Sequence, residues 1–477
     1  MTASSGANPA LNGRLPPHRT LHEPDLLFAP GAEPPRHAHP LLGLLRHGPY
    51  ARPPTSGDVR VATVTVAGQR DLLYRFLSRL RRTHPATDRK QYVPEYPGFQ
   101  RLFEVDLVPA QGSHIDLDLD APGIGTDAHE RLVAALGRTV TRLQATRYDW
   151  DVVVFLLPSA WDQYRTSPDG RYQLHDRLKA AAAPLGCPIQ MLRETSALAY
   201  PHHASLAWRL AIALLVKAGG VPWRIAATTG EDTAYIGLAY AIRGGTTDDF
   251  VTCCSQVFDA EGGGMEFVAY NVGANRDLDN PHLTRDEMRA VMARSVHLYQ
   301  HRHAGRMPQR LSIHKTTRWR GDEIDGVLDA WSATRDIDCV TVQTRTPWRG
   351  VRLDAGSGND PSAPASWPVT RGTFQQLSGR AALLWVLGTA PRMALRGGPY
   401  NPNVKGIPVP TVLVRDAGHG PLEITAADVL ALSKLDWNND APFDALPVTV
   451  AYSQRLARVI SHVPALPDSV YQYRLFM

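Results

Sequence analysis

Apolar and polar positions follow two alternating periods along this chain. From Val59, one face carries Val59, Val61, Thr63 and Thr65 and the other Arg60, Ala62, Val64 and Val66, which predicts a half-buried strand. Leu72, Leu73, Phe76 and Leu80 then recur at helical spacing, so residues 71–82 read as a helix. Strand, glycine-containing turn and helix open an α/β unit. Residues 151–158, Asp-Val-Val-Val-Phe-Leu-Leu-Pro, form an apolar run closed by proline, the pattern of a strand buried on both faces of a parallel sheet. Helices over 175–183 and 204–218, with a short strand over 189–192 between them, complete a doubly wound domain spanning residues 58–230.

The pattern changes after residue 230. Strands are expected over 234–242, 251–258 and 265–270, the last two separated by Gly262–Gly264, as an antiparallel meander. A helix from Thr284 to His303 follows, opened by a Thr284/Glu287 capping box. Its predicted core face is Met288, Val291, Met292, Ser295 and Tyr299. A strand over 310–314 comes next, and Thr425-Ala-Ala-Asp428 is expected to open a late helix in the same capped way. Meander, helix, strand is the order of an RNase H-type fold, assigned to residues 231–477. Such folds place metal-binding carboxylates in the middle of the first strand and just after the strand that follows the helix. Here those places hold Ala239 and Thr316. Residues 1–57, rich in proline, glycine and histidine, read as an irregular arm with one short strand near Leu26–Phe28.

Composition adds bounds. The 477 residues, 43% of them hydrophobic, suit two or three domains with real cores. No run of about eighteen apolar residues is present, so no membrane span is expected. Met1 to Pro17 lacks the apolar core of a signal peptide, so a cytoplasmic location is expected. Cys187, Cys253, Cys254 and Cys339 form no Cys-x-x-Cys pair, which indicates neither a zinc site nor a disulfide framework. A net charge of +5 permits a polyanion partner without requiring one. His114-Ile-Asp-Leu-Asp-Leu-Asp120 suggests a metal site, but its alternation is that of a strand with solvated aspartates, and that reading is taken.

The chemistry concentrates between Arg171 and Trp223. His175 and Lys179 stand four apart on one predicted helix face, Gln190 lies on the next strand, and Lys217 ends a long apolar helix before Gly219-Gly220. Converged, two lysines, a histidine and an amide would form an anion pocket suited to a terminal phosphate. The bland alternative is a solvated helix face and a basic C-terminal cap. Two rival functions stay open: an RNase H-like nuclease using other carboxylates such as Asp259, Glu261 or Asp322, and a metabolic α/β enzyme with His175 as general base. No dinucleotide, nucleophile-elbow or P-loop pattern supports the second.

In order and spacing these motifs resemble the short prokaryotic Argonautes, which consist of MID and PIWI domains only. The resemblance runs through Glu23-Pro-Asp-Leu-Leu-Phe, Gly48-Pro-Tyr, Tyr96-Pro-Gly-Phe, Leu174-His-Asp-Arg-Leu-Lys, Pro188-Ile-Gln and Lys217-Ala-Gly-Gly-Val-Pro-Trp. It continues through Tyr235-Ile-Gly-Leu, Ser255-Gln-Val-Phe, Ile313-His-Lys-Thr, Arg371-Gly-Thr-Phe, Pro408-Val-Pro, Leu432-Ser-Lys-Leu-Asp-Trp-Asn-Asn and Tyr471-Gln-Tyr-Arg-Leu-Phe-Met. It implies an α/β chain with a Rossmann-like MID domain followed by an RNase H-like PIWI domain. It assigns the 5′-phosphate of a guide RNA to His175, Lys179, Gln190 and Lys217. It also implies a Mg²⁺ ion beside that phosphate, held by the terminal carboxylate of Met477, against the alternative of a frayed tail.

The resemblance further implies guide and target backbone contacts from Lys434, Arg455 and Arg458, against the alternative of exposed basic residues on amphipathic helices. Ala451 stands where close relatives often carry arginine. Ala239, Thr316 and Gln454 stand at metal-binding positions, and none ligates Mg²⁺ as a carboxylate does, so the PIWI domain is expected not to cut. The implied partners are complementary single-stranded DNA and a protein joining an APAZ domain to a sirtuin-like, TIR or nuclease effector. That heterodimer would be switched on when invader DNA is recognised, often by oligomerisation, and cause abortive-infection death. Pairing would supply the specificity.

Overall fold

The computed structural model describes residues 17–54, 57–117, 128–168, 170, 172–226, 232–242, 250–256, 266–271, 282–353, 367–402, 406–462 and 470–477. The arm contributes β1 (Arg19–Thr20), β2 (Leu26–Leu27), β3 (Arg36–His37) and α1 (Pro40–His47). The expected strand is present at Leu26–Leu27, and the described part of the arm adds two further short strands and a helix. His39 caps α1 by accepting from Leu42 N–H, and Leu41 and Leu44 are buried. At eight residues, α1 is too short to show clear periodicity and is held by tertiary packing.

The first domain runs β4 (Val59–Val66), α2 (Arg70–Arg79), α3 (Phe99–Phe103), β5 (Leu107–Leu117), α4 (Ala128–Leu143), β6 (Val152–Leu157), α5 (Leu174–Ala182), β7 (Ile189–Arg193), α6 (His203–Lys217) and β8 (Arg224–Ile225). Strands β5-β4-β6-β7 make a parallel sheet in that order. The apolar run of β6 is buried on both faces, as read. Val152, Val154 and Leu156 join the core containing Leu73, Phe76 and Trp208 from α2 and α6. Val153, Phe155 and Leu157 join the core of Leu132 and Leu178 from α4 and α5. His114 lies on β5, its ring bonded to Thr63 Oγ1 at 2.8 Å, and Asp116 is half-exposed; Asp118 and Asp120 lie outside the described residues.

The second domain runs β9 (Thr233–Gly237), β10 (Ala239–Ile242), β11 (Phe250–Gln256), β12 (Glu266–Asn271), α7 (Arg285–Arg302), β13 (Arg310–Lys315), α8 (Gly321–Ala330), β14 (Asp336–Gln343), β15 (Thr373–Gln376), β16 (Ala381–Leu384), β17 (Thr411–Ala417), α9 (Leu422–Leu432), α10 (Val448–Ser461) and β18 (Val470–Gln472). Its main sheet is β1-β15-β16-β17-β14-β13-β9, with β9, β13 and β14 parallel. The meander β10-β11-β12 is extended by β18. Helix α7 carries the predicted capping box and buries the five predicted residues.

Two expectations are corrected. The single strand expected over 234–242 divides at Leu238, so that β9 pairs with β13 and β10 with β11. Helix α10 presses on the bend: a Cβ on Gly237 would lie 2.0 Å from the Thr449 carbonyl oxygen. The late helix starts at Leu422 after Pro421, three residues before the expected cap. Thr425 is buried within it and accepts from the Arg415 guanidinium, while Asp428 accepts from Tyr235 and Arg310. Tertiary partners take the side chains that looked like a cap.

Candidate functional site

Helix α5 and the C-terminal end of α6 bring the four expected pocket residues into one neighbourhood. Lys179 is 1% exposed, and its Nζ is buried with no hydrogen-bond partner. Its pKa is driven well below the ordinary lysine value, first by desolvation and then by the Lys217 ammonium. Lys217, also 1% exposed, donates to Gln190 Oε1 at 2.7 Å. Burial first, and Arg455 second, lower its pKa to about 7. At Lys179, Asp176 nearby opposes these effects but does not hydrogen-bond the amine, and folded proteins rarely leave a buried polar group without a hydrogen-bond partner.

His175 stands at the rim, 45% of its side chain exposed, with Nδ1 2.8 Å from Asp176 Oδ1. Desolvation and Lys179 lower its pKa while Asp176 opposes them. With so much of the ring open to water, His175 is a hydrogen-bonding group rather than a fixed charge. Beside it, Leu157, Arg165, Gln173, Met191 and Arg193 line a cavity of about 140 Å³ at the carboxyl ends of β6 and β7. Ligands bind outside those strand ends in open α/β sheets.

Helix α10 closes the pocket from the second domain. Asp176, fully buried, accepts from Arg458 Nε at 3.1 Å and His462 Nδ1 at 3.0 Å. Arg455 is held by Asp436 through two hydrogen bonds at 3.1 and 2.6 Å. The Arg474 guanidinium donates to the Lys217 carbonyl at 3.3 Å. Asp176, His462 and Arg474 were missed in the sequence. One available signal was the position of Asp176 between His175 and Lys179; another was the i, i+4 spacing of Arg458 and His462.

The carboxyl edge of the main sheet is arranged differently. Ala239, 7% exposed, opens β10, and Thr316 follows β13. The nearby carboxylate, Glu323, is buried and accepts from Lys315 Nζ and the Tyr240 hydroxyl at 2.6 Å each, and from Arg320 N–H at 2.9 Å. His314, two residues before Thr316, is fully buried between Ser312 and Thr449. Desolvation brings its pKa to about 3. Gln454 is exposed on α10. Asp322 is exposed in the first turn of α8, and Asp259 and Glu261 lie outside the described residues. Among the described residues no group of three His, Cys, Asp or Glu side chains could hold a metal ion, and no helix is long and apolar enough to cross a membrane.

No protein-family model matches the sequence, and no curated protein matches it. Solved structures do. Clostridium butyricum Argonaute bound to a guide DNA and a 19-mer target DNA superposes with a TM-score of 0.69 at 14% identity, over 97% of this chain and 55% of that one. A. aeolicus Argonaute gives 0.60 at 16% identity, over 97% and 56%. The complex of Aa-Ago with externally bound siRNA gives 0.61 at 14% identity, over 96% and 56%. The fold is that of the Argonaute MID and PIWI domains. The chain spans about half the length of these Argonautes.

In this MID–PIWI fold the phosphate-pocket candidates all lie where the two domains meet, whereas the expected backbone contacts divide. Arg458 is 52% exposed and faces the seam. Arg455 is adjacent, its charge largely matched by Asp436. Lys434 is a correction. Its side chain is 0% exposed, and Nζ donates to Glu23 Oε1, the Pro24 carbonyl and the Ala38 carbonyl at 2.9, 2.6 and 2.8 Å. No donor remains for a nucleic-acid phosphate. Glu23 also accepts from Arg371 at 2.8 Å. Burial alone would raise the Glu23 pKa, but Arg371 and Lys434 bring it to about 2. Desolvation lowers Lys434 to about 8. The group clasps the arm to the PIWI domain. Exposed-helix reasoning failed because the partner is 411 residues away in sequence.

The tail is tucked in rather than frayed. Leu475, Phe476 and Met477 are 4–5% exposed, and Tyr473 packs on Trp437. Mg²⁺ is commonly bound by one or two carboxylates together with substrate phosphates. With no three-ligand protein cluster described here, the donor set fits such an ion only with phosphate oxygens supplied from outside.

Proposed function

We propose that this chain is the guide-binding, target-sensing subunit of a short Argonaute system. The observation that carries the reading is the Lys179 ammonium: buried, without a partner, and beside a second buried lysine at the MID–PIWI seam. A dianionic 5′-phosphate supplies the missing charge and acceptors. In this reading Lys179 and Lys217 hold phosphate oxygens, Gln190 orients Lys217, and His175 donates from the rim. The cavity bounded by Arg165 and Arg193 takes the first base of a guide RNA. Arg458 and Arg455 meet the following backbone. The Met477 carboxylate and the guide phosphates would hold Mg²⁺, which would supply charge neutralisation there.

The PIWI edge, with Ala239, Thr316 and Gln454 and with Glu323 already paired, supports recognition without cutting. Output would then come from an APAZ-effector partner in the cytoplasm. Complementary single-stranded DNA would pair with the guide, and the seam, clasped by Asp176 to α10, would pass the event on to a sirtuin-like, TIR or nuclease effector, with death of the cell.

The pocket is tested with Lys179→Ala and Lys217→Ala. Each is expected to weaken 5′-phosphorylated guide RNA by about 1.5–3 kcal/mol, the value of a hydrogen bond to a charged group, with little effect on 5′-hydroxyl guides. Equal losses for both guides would refute the assignment. Site-specific cleavage of complementary DNA by the guide-loaded chain alone, with Mg²⁺ or Mn²⁺, would overturn the non-cutting reading.

A further inference from the structure

A second feature on the PIWI side is not used by the pocket. Beyond the carboxyl end of β14 the chain reads Thr344-Arg-Thr-Pro-Trp-Arg-Gly-Val-Arg-Leu353, with three arginines and no acidic residue. Trp348 is 45% exposed. The turn is fixed all the same. Trp348 N–H donates to Thr346 Oγ1 at 3.3 Å, and the Arg349 guanidinium donates to the Thr346 and Trp348 carbonyls at 2.9 and 2.7 Å. Gly350 sits against the Trp385 indole, where a Cβ would come within 2.5 Å. Arg345 and Arg349 make no ion pair among the described residues. The open Trp348 indole thus lies between two guanidiniums that make no ion pair among the described residues.

Its place gives it a use. Lys315 of β13 pairs in parallel register with Thr341 of β14, and Thr341 Oγ1 donates to the Thr317 carbonyl. The Arg345–Arg349 turn therefore projects from the same sheet edge as Ala239 and Thr316, four residues past Thr341. We infer that Trp348, flanked by Arg345 and Arg349, is a stacking platform for unpaired bases of a nucleic-acid strand leaving that edge. An indole face binds any base by stacking, and adjacent arginines neutralise the backbone. Bases inside a duplex have both faces covered by their neighbours, so the platform favours single strand. A protein partner of ordinary polarity would not need the uncompensated charge.

The inference rests on the reading of this chain as a nucleic-acid binder, yet its test bypasses the phosphate pocket. The full chain carrying Lys179→Ala is titrated with 5′-hydroxyl oligo-dT and oligo-rU and with a blunt duplex, followed by fluorescence anisotropy. Adding Trp348→Ala is expected to weaken single-strand binding by about five- to a hundred-fold, with Trp348→Phe restoring most of it. Arg345→Ala should reduce the slope of log affinity against log salt by about 0.7. Duplex binding should change less than two-fold. Single-strand affinity unaltered by Trp348→Ala, or equal losses for Ala and Phe, would overturn the platform; the first result would leave the surface to a protein partner. Neither outcome touches the 5′-phosphate comparison, and a failure of that comparison leaves this one standing.

Discussion

The seam pocket and the PIWI sheet edge each bury lysine, and they treat it in opposite ways. At the edge, Lys315 is 1% exposed on its side chain and meets a fully buried carboxylate, Glu323, at 2.6 Å. Tyr240 and Trp319 rings flank the same ammonium at 5.6 and 4.5 Å. In the pocket, Lys179 has no partner and Lys217 has only the neutral amide of Gln190. At Lys315 the edge has its buried charge matched from within the chain. The pocket holds two buried lysines, neither of them hydrogen-bonded to a carboxylate. Charge balance, more than burial or residue type, separates the two regions, and it is what the proposed phosphate pocket rests on.

The contrast can be broken by experiment, most forcefully at the edge. Glu323→Ala leaves a buried ammonium uncompensated and should cost about 3–5 kcal/mol of unfolding free energy in urea titration. A loss below about 1 kcal/mol would mean that the pair is not what closes this edge.

Lys179→Met should do the reverse. Replacing an unpaired buried cation by an apolar side chain of similar length is expected to raise stability, by about 1 kcal/mol or more. Marked destabilisation would show that Asp176 already compensates the charge of Lys179.

The pH dependence separates the two regions further. In the free protein Lys217 has a pKa of about 7 against an ordinary value of 10.5. Affinity for a 5′-phosphorylated guide should therefore fall as pH rises through about 7 to 9, and Lys217→Met should flatten that fall. Stability should move the other way. Between about 7 and 10.5 the unfolded chain binds the proton that the folded one has lost, so this residue's contribution to stability rises with pH. Parallel trends in affinity and stability would contradict the assignment. The smallest effect is expected at Arg458, whose guanidinium is half exposed: Arg458→Gln should cost about 0–1 kcal/mol of stability in the free protein.

Much of this was legible in the chain because it is local. The five core residues of α7 and its Thr284/Glu287 box follow from spacing within one helix. The apolar run of β6 suits a strand buried on both faces, and that is how it folds. His175, Lys179, Gln190 and Lys217 were found as an ordered set, and the fold does bring α5, β7 and α6 together. What was not legible depends on distant partners. Thr425 and Asp428 look like a cap until Arg415, Tyr235 and Arg310 claim them. Lys434 looks like a phosphate contact until Glu23 arrives from the other end of the chain. The division at Leu238 needs α10 pressing on Gly237, which no pattern within residues 234–242 encodes.

Helix α10 has a mechanical consequence. It has fourteen residues, none of them glycine or proline, so it is a stiff rod about 21 Å long. Near one end Thr449 sits on the Cβ-less Gly237 beside the sheet edge, and Ser453 donates to the Gly237 carbonyl. At the other end Arg458 and His462 grip Asp176 beneath the pocket. A rod fastened at both ends cannot move at one alone. With no clearance at Gly237 to absorb a shift, a ligand that reorders the charges around Asp176 will load the sheet edge as well, and strain at the edge will be felt at the pocket without any hinge between them.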